Sequence, residues 1–277
     1  MKKLFDELSY KVSKTTTKQY STSFSLGILA LSPKIRNPIY AIYGYVRLAD
    51  EIVDSFHGFD KQKLLSRFRQ ETTLALEEKI SLNPILQSFQ ETVHKYQIDF
   101  QLIDQFLRSM EMDLHKIDYD SDLYKEYILG SAEVVGLMCL QIFVEGDKEA
   151  FERLKPFAMT LGSAFQKVNF LRDMKDDYFV LGRTYFPNVD ISDFDNEVKS
   201  NIEKEIESEF REALEGIKKL PRSSRFGVYL AYRYYVSLFN KIKKTSANNI
   251  INQRIRISNS RKISIMMGCY VEYKLSI

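Results

Sequence analysis

Tryptophan is absent from the 277-residue chain, and cysteine appears only twice, histidine three times, proline six times and glycine eleven. Each scarcity excludes something. Few glycines and prolines leave little material for tight turns, which favours long helices over a many-stranded sheet. Cys139 and Cys269 sit in apolar surroundings, so they are read as reduced packing residues rather than a disulfide, in keeping with a cytoplasmic protein. His57, His94 and His115 show no ligand-like spacing, which argues against zinc. No apolar run approaches the roughly 20 residues needed to span a bilayer, and the opening MKKLFDELSYKVSK has no apolar core of the secretory kind. A formal net charge of +3 is too small to argue for nucleic acid as a partner.

What is present is apolar periodicity of the helical kind. Hydrophobic residues make up 44% of the chain and charged residues 28%, a globular balance. Residues 1–19 read as a short amphipathic helix, followed by Ser21-Thr22-Ser23-Phe24-Ser25 and an apolar stretch ending at Ser32-Pro33. Asn37-Pro38 reads as a helix start, because proline is tolerated in the first turn, and His57-Gly58 as its end. Helical patterns continue over 60–80, 83–95 and 99–113, then over a more apolar segment, 122–145, and over 149–180. Residues 183–195 read as loop, 195–219 and 222–247 as helices, and the remainder as a tail. No period of two emerges, so the fold class is all-α. The chain reads as one domain over 1–277, with the helix 1–19 and the tail 263–277 peripheral.

Two acidic segments carry the chemistry. At about 100° per residue, Tyr43, Arg47, Asp50 and Asp54 fall at roughly 0°, 40°, 340° and 20°. The rest of that helix is mostly apolar, and a charged stripe on an apolar helix must face a wet cavity or find partners. The pattern repeats 123 residues later. Gln166, Asn169, Asp173 and Asp177 lie at about 0°, 300°, 340° and 20°, with Phe165, Val168, Phe170 and Leu171 on other faces. Carboxylates joined by an amide oxygen suit Mg²⁺, which completes its shell with water and phosphate. Arg47, Arg172 and Arg183 suit the remaining phosphate oxygens. A lone Asp-x-x-x-Asp is usually a surface pair; two, each with basic or amide companions on its stripe, point to a diphosphate held through magnesium.

The segments around these boxes resemble the squalene/phytoene synthase family. The resemblance runs from Tyr20 to about Lys262. It rests on Ser21-x-Ser23-Phe24, on the run from Tyr40 to Asp54, on Tyr127 through Val135-Gly136-Leu137-Met138, and on Gln166-Lys167-Val168-Asn169-Phe170-Leu171-Arg172-Asp173 with Asp176-Asp177 and Gly182-Arg183-Thr184-Tyr185-Phe186-Pro187. It implies an isoprenoid synthase fold, with helices around a central cavity and the two acidic helices facing across it. It also implies head-to-head condensation of two prenyl diphosphates through a cyclopropyl diphosphate. Bacterial enzymes joining two geranylgeranyl diphosphates are the nearest in pattern; those using farnesyl diphosphate share the same boxes. Under this resemblance Asp50, Asp54, Asn169, Asp173 and Asp177 hold Mg²⁺, for which Mn²⁺ can substitute. Ser21, Ser23, Tyr43, Arg47, Gln166, Asn169, Arg172, Arg183 and Arg254 hold diphosphate. Asp50, Asp54, Asp173 and Asp177 act in catalysis together with Tyr127 and Tyr235, whose rings, with Phe24, face the carbocation. No dinucleotide fingerprint is present, and NADPH is not expected.

The sequence departs from the family pattern at Glu133, where a small residue is usual after Ala132. Its simplest reading is a side chain turned away and neutralised by a neighbouring cation. Lys2-Lys3, Arg254, Arg256, Arg261 and Lys262 read first as scattered surface charge. The alternative is peripheral contact with the inner face of a membrane. A non-catalytic relative acting in assembly is the rival of another class, and it predicts eroded acidic positions, whereas all four aspartates stand.

Overall fold

A computed structural model describes residues 1–276 apart from 116–118, 184, 188 and 190–193. Among the described residues every regular element is helical, in the order α1 (Lys2–Tyr20), α2 (Thr22–Leu29), α3 (Pro33–Asp54), α4 (Lys61–Glu78), α5 (Pro84–Tyr96), α6 (Phe100–Met112), α7 (Ser121–Ile128), a π turn (Leu129–Glu133), α8 (Val134–Phe143), α9 (Lys148–Phe179), α10 (Asn196–Lys219), α11 (Arg222–Lys243), α12 (Ala247–Asn252) and α13 (Asn259–Ser276). The starts follow capping chemistry. Asp60, Asn83, Asp99, Asp120, Asp147 and Asp195 each accept a hydrogen bond from a backbone N–H in the first turn of the helix they precede, which satisfies donors that have no partner inside the helix.

Two apolar cores flank a cavity. One gathers α7, α9, α10, α11 and α13 around residues such as Val168, Phe210, Leu230 and Phe239. The other gathers α3 to α6 with α8 around Ile42, Tyr45, Phe89 and Phe106. In the second, the Tyr45 and Phe89 rings stack at 3.7 Å and 5°, both fully enclosed. α1 closes this half with small hydroxyl side chains: Ser9, Ser13 and Thr17 are its buried residues. That choice lets α1 approach α3 closely, since a Cβ on Gly44 would lie 2.8 Å from the Ser13 hydroxyl oxygen. α9 presses on the π turn in the same way, where a Cβ on Gly162 would lie 2.8 Å from the Ala132 carbonyl oxygen.

Several boundaries differ from the sequence reading. The stretch after Ser21 forms α2, eight residues long and too short for periodicity to announce. α3 begins at Pro33 rather than at Asn37-Pro38, and Pro38 lies inside it. The 122–145 helix is interrupted by the π turn and ends at Phe143. By length and composition Ser121–Phe143 is apolar enough to cross a membrane, contrary to the expectation that no segment approaches this. Tyr127, Val134, Met138 and Ile142 on it are nevertheless core residues. The 222–247 helix stops at Lys243, with α12 following, and the tail contains α13, packed on α11. The loop expected over 183–195 lies partly outside the described residues.

Phe89→Ala removes one of the largest enclosed side chains and unstacks Tyr45. It is expected to cost about 3–5 kcal/mol of unfolding free energy, read from the shift of a urea transition.

Candidate active site

α3 and α9 share one cavity of about 990 Å³. Both helices run from an apolar floor to an acidic mouth. On α3, Ile39 and Ile42 line the cavity before Arg47, Asp50 and Asp54; at 1.5 Å per residue Ile39 and Asp50 are about 16 Å apart along the axis. On α9, Leu154, Phe157 and Leu161 precede Gln166, Asn169, Asp173 and Asp177, and Leu154 lies about 28 Å from Asp173. The helical phase that separates carboxylates from apolar faces in the sequence thus delivers both boxes to the same space. Ser21, Ser23, Tyr43, Arg172, Arg183, Tyr127, Tyr235, Phe24 and Arg254 also line it, so every sequence-predicted site residue reaches the cavity.

The acids are held in a mesh of arginines. Arg183 donates to Asp54 at 2.8 Å and to the Asp113 carbonyl at 2.7 Å, and its guanidinium lies 3.4 Å from the Asp113 carboxylate. Arg172 bonds Asp173 through Nε at 2.9 Å. Arg254 reaches Asp173 at 2.7 Å and Asp176 at 3.8 Å. Arg47 pairs with Glu51, lies 3.9 Å from Asp50 and rests 4.2 Å over the Tyr20 ring. Ser21 caps α2, accepting from the Phe24 N–H at 3.2 Å.

Burial, reinforced by the neighbouring Asp54, pushes the Asp50 carboxyl up to about 8. Burial, with Asp173 and Asp54 close by, does the same to Asp177. The arginines therefore do not balance the acids. Among the described residues no three His, Cys, Asp or Glu side chains are gathered tightly enough to hold a metal by themselves. Two carboxylate pairs on opposite walls, short of positive charge, nevertheless fit hard cations that take part of their shell from water and phosphate. The donor set is all oxygen.

Two groups of rings border the acids. Phe24 lies 5.7 Å from Tyr43 and 5.8 Å from Tyr235, while Tyr235 stacks on Phe165 at 3.8 Å and its hydroxyl donates to the Asn169 side-chain oxygen at 3.2 Å. On the other side Tyr127, Phe170 and Tyr185 enclose Asp113. The Tyr127 and Tyr185 hydroxyls donate to it at 2.9 and 3.2 Å. Burial raises the Asp113 carboxyl to about 6, although Arg183 opposes the shift. Sequence reasoning missed Asp113 altogether. It stands alone at the end of α6, and its partners come from residues 127, 183 and 185, so no local spacing could reveal it. Phe165 and Tyr20 were missed for the same reason, as single rings among many.

Glu133 ends the π turn and is absent from the cavity lining, whereas its neighbours Ser131 and Ala132 contribute to it. It faces a cluster behind α9. There Lys167, 4% exposed, pairs with Glu205 and with Glu209, the latter at 2.6 Å, and Ser163 donates to Glu209 at 2.8 Å. Burial, with Glu209 adding repulsion and Lys167 opposing, lifts the Glu133 carboxyl to about 7.

These features define an all-α isoprenoid synthase fold, with paired acidic helices at the mouth of an apolar cavity. The chain belongs to the squalene/phytoene synthase family, whose model matches residues 17–261. It is 28% identical over 275 residues to a chloroplastic phytoene synthase of an Oncidium hybrid cultivar, covering 91% of this chain and 65% of that one. The chain thus spans about two thirds of the length of such plant relatives. It is 24% identical to a 4,4'-diapophytoene synthase of Staphylococcus haemolyticus, covering 97% and 98% of the two chains. A dehydrosqualene synthase crystal structure superposes with a TM-score of 0.81 at 20% identity, covering 97% of this chain and 98% of that one. A squalene synthase from Alicyclobacillus acidocaldarius gives 0.73 at 20% identity, over 85% and 93%.

The raised carboxyl of Glu133 has a measurable consequence. Its folded value, about 7, lies above its ordinary 4.5. The folded state therefore holds the proton more tightly, and the stability this gives is full below about pH 4.5 and lost as pH rises through 7. Glu133→Gln should raise the melting temperature at pH 8 and leave it near wild type at pH 4.5. Equal shifts at both pH values would contradict the assignment.

Proposed function

We propose that this chain condenses two geranylgeranyl diphosphates head to head, giving phytoene and releasing diphosphate, with Mg²⁺ as cofactor and no NADPH. The observation that carries the reading is the polarity of the cavity along α3 and α9: acids and arginines at one end, an apolar floor at the other. A prenyl diphosphate has that same division. The setting proposed is cytoplasmic.

Asp50, Asp54, Asn169, Asp173 and Asp177 would hold the metal ions. When bound, Mg²⁺ supplies positive charge that stabilises a departing diphosphate. Arg47, Arg172, Arg183 and Arg254 lie beside the acids, and with cations on the carboxylates their guanidinium groups would turn to phosphate oxygens, a geometry that planar donors suit. Ser21, Ser23, Tyr43 and Gln166 would add hydrogen bonds to the same oxygens. Loss of diphosphate from one substrate gives an allylic cation, which the double bond of the second attacks, and closure of the ring with loss of a proton gives a cyclopropyl diphosphate. Departure of the remaining diphosphate lets the cyclopropyl cation rearrange, and loss of a second proton leaves the product. Tyr127, Tyr235 and Phe24 present ring faces to the cationic carbon. The apolar walls contributed by Ile42, Leu161 and Phe165 keep out water that would quench it.

A second reading, dehydrosqualene from two farnesyl diphosphates, is favoured by the near-complete coverage of the staphylococcal relative and of the dehydrosqualene synthase structure. Incubation of purified protein with each diphosphate and Mg²⁺, with and without NADPH, separates the two. C40 hydrocarbon formed without NADPH supports the first reading, and C30 hydrocarbon moves the assignment to the second. No product from either substrate would leave a non-catalytic member of the family.

Asp50→Asn and Asp173→Asn should each lower turnover by orders of magnitude while leaving the circular-dichroism melt close to wild type. Chelation of Mg²⁺ should abolish turnover and its return should restore it. Near-normal activity of either variant would sink the metal assignment.

A further inference from the structure

Behind α9 three carboxylates gather on one ammonium. Lys167, almost fully buried, pairs with Glu205 and Glu209 of α10, and Glu133 of the π turn faces both Lys167 and Glu209. Ser163, one turn before Lys167 and on the same side of α9, donates at 2.8 Å to the Glu209 oxygen that Lys167 also meets. The other Glu209 oxygen is buried and has no hydrogen-bond partner. One cation therefore serves more negative charge than it can neutralise. Glu133 stands where the family pattern has a small residue, so the third acid is this chain's own.

The cluster bears on the cavity through the rotation of α9. Around that helix Lys167 lies about 100° from Gln166 and about 120° from Asp173. Those two line the cavity and Lys167 does not. A helix held on one side by a buried ion pair resists turning, because breaking the pair leaves an enclosed charge without a partner. Glu133 changes how firmly it is held. Burial lifts its carboxyl to about 7, with Glu209 adding to the shift and Lys167 opposing it. Below that pH the carboxyl is neutral and Lys167 is left to α10. Above it, a third anion draws on the same ammonium and repels Glu209. Tyr124 of α7 also faces Glu205 and Glu209, and burial holds its phenol neutral far above this range. Among the described residues α6 and α8, also packed on the turn, bring no charge to Glu133.

We propose that Lys167 is a positioning residue: its bonds to α10 hold α9 at the rotation that presents Gln166, Asn169, Asp173 and Asp177 to the cavity, and Glu133 loosens that hold when ionised. The role of those four residues rests on the function proposed above, whereas the hold on α9 is read without metal or substrate. Amide hydrogen exchange of the full chain is compared with that of Glu133→Gln at the same pH, so that intrinsic rates cancel. At pH 6 the two should agree. At pH 8 residues 163–177 should exchange at least about threefold faster in wild type, with little difference in α4 or α5. Equal exchange at both pH values would overturn the proposal. So would a difference spread evenly over all helices, which a change of global stability alone would give. Titration with Mn²⁺ in the presence of inorganic diphosphate, followed by electron paramagnetic resonance, reads the aim of the acids. Glu133→Gln should bind Mn²⁺ about threefold more tightly than wild type at pH 8 and equally at pH 6. Lys167→Met should bind more weakly at both, and Lys167→Arg, which keeps the cation, should restore binding. If the methionine variant unfolds, the Glu133→Gln comparison decides. Wild type that takes up no Mn²⁺ would remove the metal assignment alone, with exchange still deciding the hold on α9.

Discussion

Carboxylates crowded at the mouth of an apolar cavity are the constraint on which the rest of this structure depends. Asp50, Asp54, Asp173 and Asp177 stand on helices whose other faces are core, so their charge must be answered from side chains that project into the same space. Arg183 answers Asp54 and Asp113, while Arg172 and Arg254 answer Asp173. Because Arg183 follows α9 in the chain and Asp54 ends α3, their bond ties the two cores together at the mouth. Buried pairs of this kind cost desolvation free energy, and they persist here with two acids still under-neutralised. That residual imbalance is what a cation would relieve.

On the proposed function, the arginine mesh would also couple the binding of metal to that of phosphate. Each guanidinium group that contacts an acid occupies a direction a metal ion would take. On the function proposed above, metal ions on the carboxylates would displace these guanidinium groups and leave planar donors for phosphate oxygens. The site would then be assembled by exchange of partners among side chains already in place, which would limit the ordering cost that binding must meet.

What was legible in the sequence was whatever has a helical period. The stripe of Tyr43, Arg47, Asp50 and Asp54 stood out because four polar residues recur at one phase on an apolar helix, and the structure keeps them on one wall. Asp113 was invisible because its role is set by Arg183, Tyr127 and Tyr185, whose distance along the chain carries no signal. α2 was too short to show a period, and α13 is apolar on both sides, so neither declared a buried face. The start of α3 was misplaced because Pro33 and Pro38 both satisfy the preference for proline in a first turn; Ser32 precedes the one that begins the helix. The interruption at Leu129–Glu133 has no compositional mark, since an extra residue in a turn changes register and not residue type.

Glu133 ends that turn. Within and just after the turn Ser131, Ala132 and Val135 line the cavity, while Glu133 lies near Glu209 of α10. Behind α9, Lys167, itself nearly enclosed, pairs with the exposed Glu205 and the half-buried Glu209. Lys167 lies between Gln166 and Asn169 in sequence, about 100° from the former and 200° from the latter. Anchoring it to α10 therefore fixes the rotation of α9 about its own axis. An unpaired lysine at 4% exposure would be costly, so the helix is held to the rotation that keeps this pair. That same rotation presents Gln166, Asn169, Asp173 and Asp177 to the cavity, and the charged back of α9 thus sets the aim of its acidic front.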